Sequence, residues 1–505
     1  MVDKNSILDR VKCPKLQDKI MTAEQAAEFI KDGMNVATSG FTPSGYPKAV
    51  PLAIAEKAKK SPMKINLWTG ASVGPELDGA LNEVGAINRR LPYQTNDGLR
   101  KSINSGKVKY TDLHLSHVAQ MSRYGFFGGG VDVAIVEACE VNEDGSFIPT
   151  TSMGNTSSFV QSAKQVIIEV NVSQPVTLRG MHDSYVPLDP PHRKAIPIET
   201  SGDRIGTEYV VCDPAKIVAI VPCDITDKVR DLAPIDDDAR AMGENLVAFF
   251  KKEVAEGRLP ENLLPLQSGV GSVANAVVNG LVNSDFKDLT VYTEVVQDGM
   301  FDLIDAGKLK VCSDTALSPS PAKLKKFYEN LDFYKPYLIL RPQEVANSPE
   351  IARRIGVIAM NTAIEVDIYG NVNSTHVVGT KMMNGIGGSG DYARNGYLTV
   401  FFTNSVAKGG DISSVVPFCA HLDHTEHDVD LIVSERGVAD LRGKCPVERA
   451  REIIANVAHP DYQPLLTDYL ERAIVATKNA HTPHILSEAF SFHTRFNETG
   501  SMKKK

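Results

Sequence analysis

The chain reads as an α/β protein made of two similar α/β domains in tandem. Short apolar, β-branched runs alternate with helical patterns along its 505 residues, the signature of parallel sheets covered by helices. Three pairs of segments also recur in the same order, 224 to 229 positions apart, and a charged, proline-containing stretch lies between the two sets.

Thr22 to Lys31 has a helical pattern, with Thr22 as N-cap and Gly33 as the stop. Asn35 to Thr38 is a strand that runs into the turn S-G-F-T-P-S-G-Y-P, and an alanine-rich helix follows near Ala49 to Lys59. Ile65 to Trp68 is a second strand, ending at Thr69-Gly70. Leu113 to Val118 is read as a third and Val131 to Glu137 as a fourth, and Val166 to Val170 and Ile217 to Val221 continue the series.

The repeats divide the chain. Glu140-Val141-Asn142-Glu143-Asp144-Gly145-Ser146 aligns with Glu365-Val366-Asp367-Ile368-Tyr369-Gly370-Asn371, and the same shift relates Gly154 to Gly379. Ser39-Gly40-Phe41 aligns with Ser268-Gly269-Val270, and Leu67-Trp68-Thr69-Gly70 with Val291-Tyr292-Thr293-Glu294. This order puts a boundary between Ile225 and Asp237 and predicts domains at residues 1–228 and 229–505. At the aligned strand ends the first half has Gly70 where the second has Glu294, so the repeated topology itself does not require a carboxylate.

With 42% hydrophobic and 23% charged residues the composition is that of a soluble globular protein, with room for roughly two to four domains. The N-terminal M-V-D-K-N-S-I-L-D-R lacks a basic start with an apolar core, and no apolar run approaches the roughly 18 to 20 residues that span a bilayer. A cytoplasmic protein without a membrane partner is expected; a matrix enzyme lacking its transit peptide would look the same. The net charge of −8 argues against nucleic acid, which needs a concentrated basic surface. Seven cysteines without a C-x-x-C pair fit reduced thiols, and Lys503 to Lys505 read as a solvated tail.

Candidate chemistry gathers in the second half. Leu289 to Tyr292 is a short buried-strand pattern that hands one carboxylate, Glu294, to the strand's end, where ligands of open α/β sheets sit. From spacing alone a solvated loop charge fits as well. Glu435, after Leu431 to Val433, repeats the arrangement; two such carboxylates invite a nucleophile and an orienter or base. Gln267 to Val277 (Q-S-G-V-G-S-V-A-N-A-V) leads a helical pattern whose first N–H groups form a cradle for an oxyanion or phosphate, without the spacing of a dinucleotide fingerprint. Asn384 to Ala393 holds four glycines in ten residues, which suits backbone contact with a ligand. Asn347 reads as a turn residue before a Ser-Pro helix start, and Lys408 either as an exposed lysine or as a phosphate ligand. His421, His424 and His427 lack metal-ligand spacing, so no metal is expected.

These motifs resemble the acetyl-CoA hydrolase/transferase family over nearly the whole chain, nearest its members that move coenzyme A from succinyl-CoA to acetate. The resemblance is carried by T-G-A-S-V-G at Thr69, E-V-N-E-D-G at Glu140, S-G-V-G at Ser268 and Y-T-E-V-V-Q-D-G at Tyr292. N-G-I-G-G-S-G-D at Asn384, H-T-E-H-D-V-D at His424, S-E-R-G-V-A-D-L-R-G at Ser434 and H-I-L-S-E-A-F at His484 complete it. It implies the paired α/β arrangement of class I CoA-transferases and a Glu294 that attacks the acyl-CoA thioester, forming an acyl-glutamyl anhydride and then a glutamyl-CoA thioester. It also implies oxyanion donors at the Val270 and Gly388 N–H groups and the Asn347 amide, each worth about 3 kcal/mol in comparable sites. Glu435 would position substrate or donors. Gly269, Val270, Gly271, Ser272, Val273, Ile364, Asn384, Gly388 and Lys408 would line the coenzyme A path, Ile364 on the resemblance alone. Coenzyme A thioesters are then substrates, with acetate and succinate as partner acids and no permanently bound cofactor. The rivals are hydrolysis through the same glutamate and a non-catalytic coenzyme A-binding scaffold. A homodimer is expected from size.

Overall fold

A computed structural model of the chain describes residues 7–229, 231 and 234–504. Residues 230, 232 and 233 of the expected linker, the first six residues and Lys505 lie outside that set. The chain forms two compact units, and each draws on separate stretches of sequence. The first comprises Met1–Asp231, Val291–Phe301 and Lys310–Arg354; the second comprises Leu232–Thr290, Asp302–Leu309 and Ile355–Lys505.

The first unit is built on a seven-stranded parallel sheet. Its order is Lys109–Tyr110, Ile87–Leu91, Ile65–Trp68, Asn35–Thr38, Val133–Ala138, Gln165–Asn171, Ile217–Cys223. Every residue of Val133–Ala138 is buried, as expected of a parallel strand covered on both faces. Helix Ala49–Lys60 turns Val50, Ile54 and Ala58 inward at four-residue spacing, against a core that includes Val36, Ile65, Leu67 and Ile135. Thr22 caps the first helix as expected, in a capping box with Gln25, but that helix ends at Ala27.

Two differences from the sequence reading have clear causes. Leu113 to Val118 belongs to no strand; helix Leu115–Arg123 occupies that stretch, because Leu115, Val118, Ala119 and Ser122 form one buried stripe at i, i+3, i+4 and i+7. The third strand is instead Ile87–Leu91, hidden from pattern reading by two arginines. Arg90 is wholly buried because the Asp78 carboxylate meets it with bonds of 2.8 and 3.0 Å.

In the second unit, Leu266–Ser268, Ile358–Thr362, Leu398–Phe402 and Leu431–Ser434 run parallel in that order, and Gly437–Asp440 returns antiparallel beside the last. These pairings repeat those of Asn35–Thr38, Val133–Ala138, Gln165–Asn171 and Ile217–Cys223, which is the tandem similarity expected from the aligned segments. Helices Asp237–Ala255 and Ser272–Val282 pack closely at Gly243, where an added Cβ would lie 2.8 Å from the Ala276 carbonyl oxygen. Of the expected tail, Lys504 is exposed and Lys503 pairs with Asp461 at 2.7 Å, just after the buried Met502, whose N–H donates to the Asp411 carbonyl at 2.8 Å; Lys505 lies outside the described residues.

Candidate active site

Strand Leu289–Tyr292 ends in the first unit, and the chain past it is held on both sides of Glu294. The Thr293 N–H donates to the Ser313 carbonyl at 2.9 Å, and the Glu294 carbonyl accepts from the N–H groups of Thr315 (2.9 Å) and Ala316 (3.1 Å). Val295–Val296 then pairs in parallel with Ala316–Leu317. The backbone is thus fixed while the side chain stays partly exposed. Asn347, fully buried at the C-cap of helix Gln343–Ala346, donates its amide N–H to the Glu294 carboxylate. A neutral donor on one oxygen orients the carboxylate without neutralising it, which suits a nucleophile.

Gly70, the first-half counterpart of Glu294, is constrained by space. A Cβ there would lie 2.4 Å from the Gly40 carbonyl oxygen, 3.2 Å from the Gln343 side chain and 3.3 Å from Gly154. No side chain fits at that strand end, because the backbone of neighbouring turns fills the space that Glu294 uses in the second half.

In the second unit three of the expected residues lie at one edge of the sheet. Gly269 and Glu435 follow directly on strands Leu266–Ser268 and Leu431–Ser434 and Ile364 lies two residues past Ile358–Thr362, so the parallel order sets them at the C-terminal ends of one sheet. Gly271 takes φ +120° as the chain turns into helix Ser272–Val282, whose first residues are Ser272 and Val273; Val270 at the turn is exposed. The turn into a helix expected within Gln267 to Val277 is present, with a three-residue strand before it that the sequence reading did not assign. Gly388 is the buried N-cap of the short helix Ser389–Ala393, and the Asn384 side chain accepts from the Gly385 N–H at 2.9 Å. Lys408 is exposed, in a left-handed conformation (φ 53°), with its ammonium 4.9 Å from the centre of the Phe496 ring.

Glu435 has a partner that sequence reasoning missed. The Ser405 N–H donates to one carboxylate oxygen at 2.9 Å and its hydroxyl to the other, which fixes the orientation of the Glu435 carboxylate. The signal was available: Ser405 follows the apolar run Leu398–Phe402, at the same kind of strand end. The histidines do structural work. His424 is buried, bonded to the Ser389 hydroxyl at 3.0 Å and stacked on Phe401, while the His421 ring lies 3.7 Å from that of His376. Among the described residues no group of three or more His, Cys, Asp or Glu side chains is arranged to hold a metal, and no helix is long and apolar enough to cross a membrane. All seven cysteines are free thiols.

Paired parallel sheets with carboxylates delivered at strand ends are the frame of an α/β enzyme. The model of the acetyl-CoA hydrolase/transferase N-terminal domain matches residues 6–222, and that of the C-terminal domain residues 324–470. The chain belongs to the acetyl-CoA hydrolase/transferase family. It is 55% identical to a succinyl-CoA:acetate CoA-transferase of Clostridium kluyveri, over 98% of this chain and 92% of that one. It is 46% identical to a propanoyl-CoA:succinate CoA transferase of Escherichia coli (95% and 98% covered) and 43% identical to an acetyl-CoA hydrolase of Saccharomyces cerevisiae (100% and 98%). Among solved structures, RipA of Yersinia pestis superposes with a TM-score of 0.71 at 20% identity, covering 93% of this chain and 99% of that one. A 4-hydroxybutyrate CoA-transferase of Porphyromonas gingivalis gives 0.63 at 20% identity, with 90% and 98% covered. At such identity these likenesses bear on the fold alone.

Proposed function

We propose that the chain transfers coenzyme A from succinyl-CoA to acetate, with Glu294 as the nucleophile. The observation that carries this reading is the partly exposed Glu294 carboxylate on a stapled strand end, held by the buried Asn347 amide. The 55% identity to the Clostridium kluyveri enzyme supports the choice of acids.

In the first step a Glu294 oxygen attacks the succinyl thioester carbonyl, the C–S bond breaks, and the thiolate of coenzyme A leaves a succinyl-glutamyl anhydride. The thiolate then attacks the glutamyl carbonyl and displaces succinate, giving a glutamyl-CoA thioester. Acetate attacks that thioester to give an acetyl-glutamyl anhydride and thiolate, and thiolate attack on the acetyl carbonyl releases acetyl-CoA and restores Glu294. Each intermediate keeps the activation of the thioester. The tetrahedral oxyanions are assigned to the Val270 and Gly388 N–H groups and the Asn347 amide. Glu435, held by Ser405, is assigned to orientation. Gly269 to Val273, Ile364, Asn384, Gly388 and Lys408 are assigned to the coenzyme A path, with no permanently bound cofactor. A cytoplasmic location, a two-fold dimer and domains at 1–228 and 229–505 belong to the same proposal.

Hydrolysis is the second reading, favoured by the identity to fungal proteins named acetyl-CoA hydrolase. It differs only in water taking the acetate's place. The test is intact mass after rapid quenching with succinyl-CoA alone, beside Glu294→Ala. A coenzyme A adduct on the wild type and none on the variant supports transfer; free coenzyme A accumulating without acetate supports hydrolysis. Neither adduct nor turnover would leave a binding scaffold.

A further inference from the structure

We propose that Tyr292 is a positioning residue for the nucleophile: its hydroxyl anchors the short helix that presents Asn347, and so sets where the Asn347 amide meets Glu294.

Tyr292 is the last residue of its strand and is wholly buried. Its hydroxyl donates to the carbonyl of Val345, in helix Gln343–Ala346. Tyr292 precedes Glu294 by two residues, and Val345 precedes Asn347 by two. The Tyr292–Val345 bond and the Asn347–Glu294 bond therefore close a ring between strand and helix. A four-residue helix has little stability of its own, so tertiary bonds decide where it sits. Its N-terminal end is tied by the Gln343 N–H to the Gly154 carbonyl and by the Gln343 amide to the Leu115 carbonyl, both at 2.8 Å. Tyr292 ties the end that carries Asn347.

The hydroxyl is not needed to satisfy Val345. That carbonyl also accepts from the Ser348 N–H at 3.1 Å, and a phenylalanine ring would fill the same buried space. Burial also holds the phenol above its ordinary titration range, so it remains a donor at every working pH.

The inference rests on Glu294 being the nucleophile, and the experiment separates the two. Tyr292→Phe, Asn347→Ala, their double variant and Glu294→Gln are compared in succinyl-CoA:acetate turnover, with thermal melts as a folding check. Tyr292→Phe is expected to lower kcat on the order of tenfold with KM within about twofold, since small misplacements of a reacting group carry large rate losses. In the Asn347→Ala background the same change is expected to lower kcat by less than about twofold, because the amide it positions is gone. Gln343→Met, which loosens the other end of the helix, is the second variant and is expected to show the same non-additivity. Equal losses in both backgrounds, or an unchanged kcat in Tyr292→Phe, would overturn the role. An active Glu294→Gln would sink the reading of Glu294 itself, whereas an inactive one with additive Tyr292→Phe sinks only this inference.

Discussion

The Ser405 N–H donates to the Glu435 carboxylate at 2.9 Å, and the Ser405 hydroxyl donates to the other oxygen of the same group. Serine thus holds the charge at both ends. Ser405→Ala keeps the N–H and loses the hydroxyl, so kcat/KM is expected to fall about tenfold or more, since one hydrogen bond to a charged group contributes about 1.5 to 3 kcal/mol. Glu435→Gln is expected to do more damage, because it removes the negative charge while the Ser405 N–H and hydroxyl can still hold the amide in place. Steady-state kinetics of the two variants check the order.

Asn347→Ala is expected to slow adduct formation about a hundredfold or more, since a buried amide aimed at the reacting carboxylate is lost. Asn347→Asp should be slower still. It sets a second carboxylate against Glu294 and disfavours the ionised nucleophile. Single-turnover mass spectrometry with succinyl-CoA distinguishes the three enzymes.

Gly70→Ala tests packing at the strand end that lacks a carboxylate. A Cβ 2.4 Å from the Gly40 carbonyl oxygen forces backbone apart, and a destabilisation of about 2 kcal/mol is expected. Urea titration with an unchanged m-value would register it.

The pH response of Glu253 follows from its partners. Arg258 first and Arg442 second hold its carboxyl down to about 2. A depressed acid contributes stability that is complete above its ordinary value near 4.5 and is lost as pH falls through about 2. Glu253→Gln is therefore expected to melt lower than the wild type at pH 6, with the gap closing between pH 4.5 and 2. Because both arginines are part-exposed, the gap should be only about 1 to 2 kcal/mol. Melts at four pH values suffice.

What the sequence revealed followed physical rules with short range. Strand Ile65–Trp68 and the positions of Glu294 and Glu435 were readable because short apolar runs that break off into polar or charged residues form a local pattern. Strand Ile87–Leu91 was not, because its arginine is buried only through Asp78, a pairing that exists in space alone. Helix Leu115–Arg123 was misread because L-H-L-S alternates over the four residues from Leu113 to Ser116, and its 3.6-residue stripe emerges only when the window reaches Ser122. Asn347 carries no local mark of importance, and the place of Ser405 after the apolar run Leu398–Phe402 does not name its partner. Their roles appear when tertiary folding brings them to carboxylates 53 and 30 residues away.

The interleaved first unit has a consequence for synthesis. Its last stretch ends at Arg354, while the bulk of its sheet is complete by Asp231. At 5 to 20 residues per second, a ribosome makes the intervening chain in roughly 6 to 25 s. Until it is complete the nascent unit lacks the stretches that bear Glu294 and Asn347, and Phe41, Ala71 and Leu115, which Val295 and Ala316 later cover, are left for a chaperone to meet.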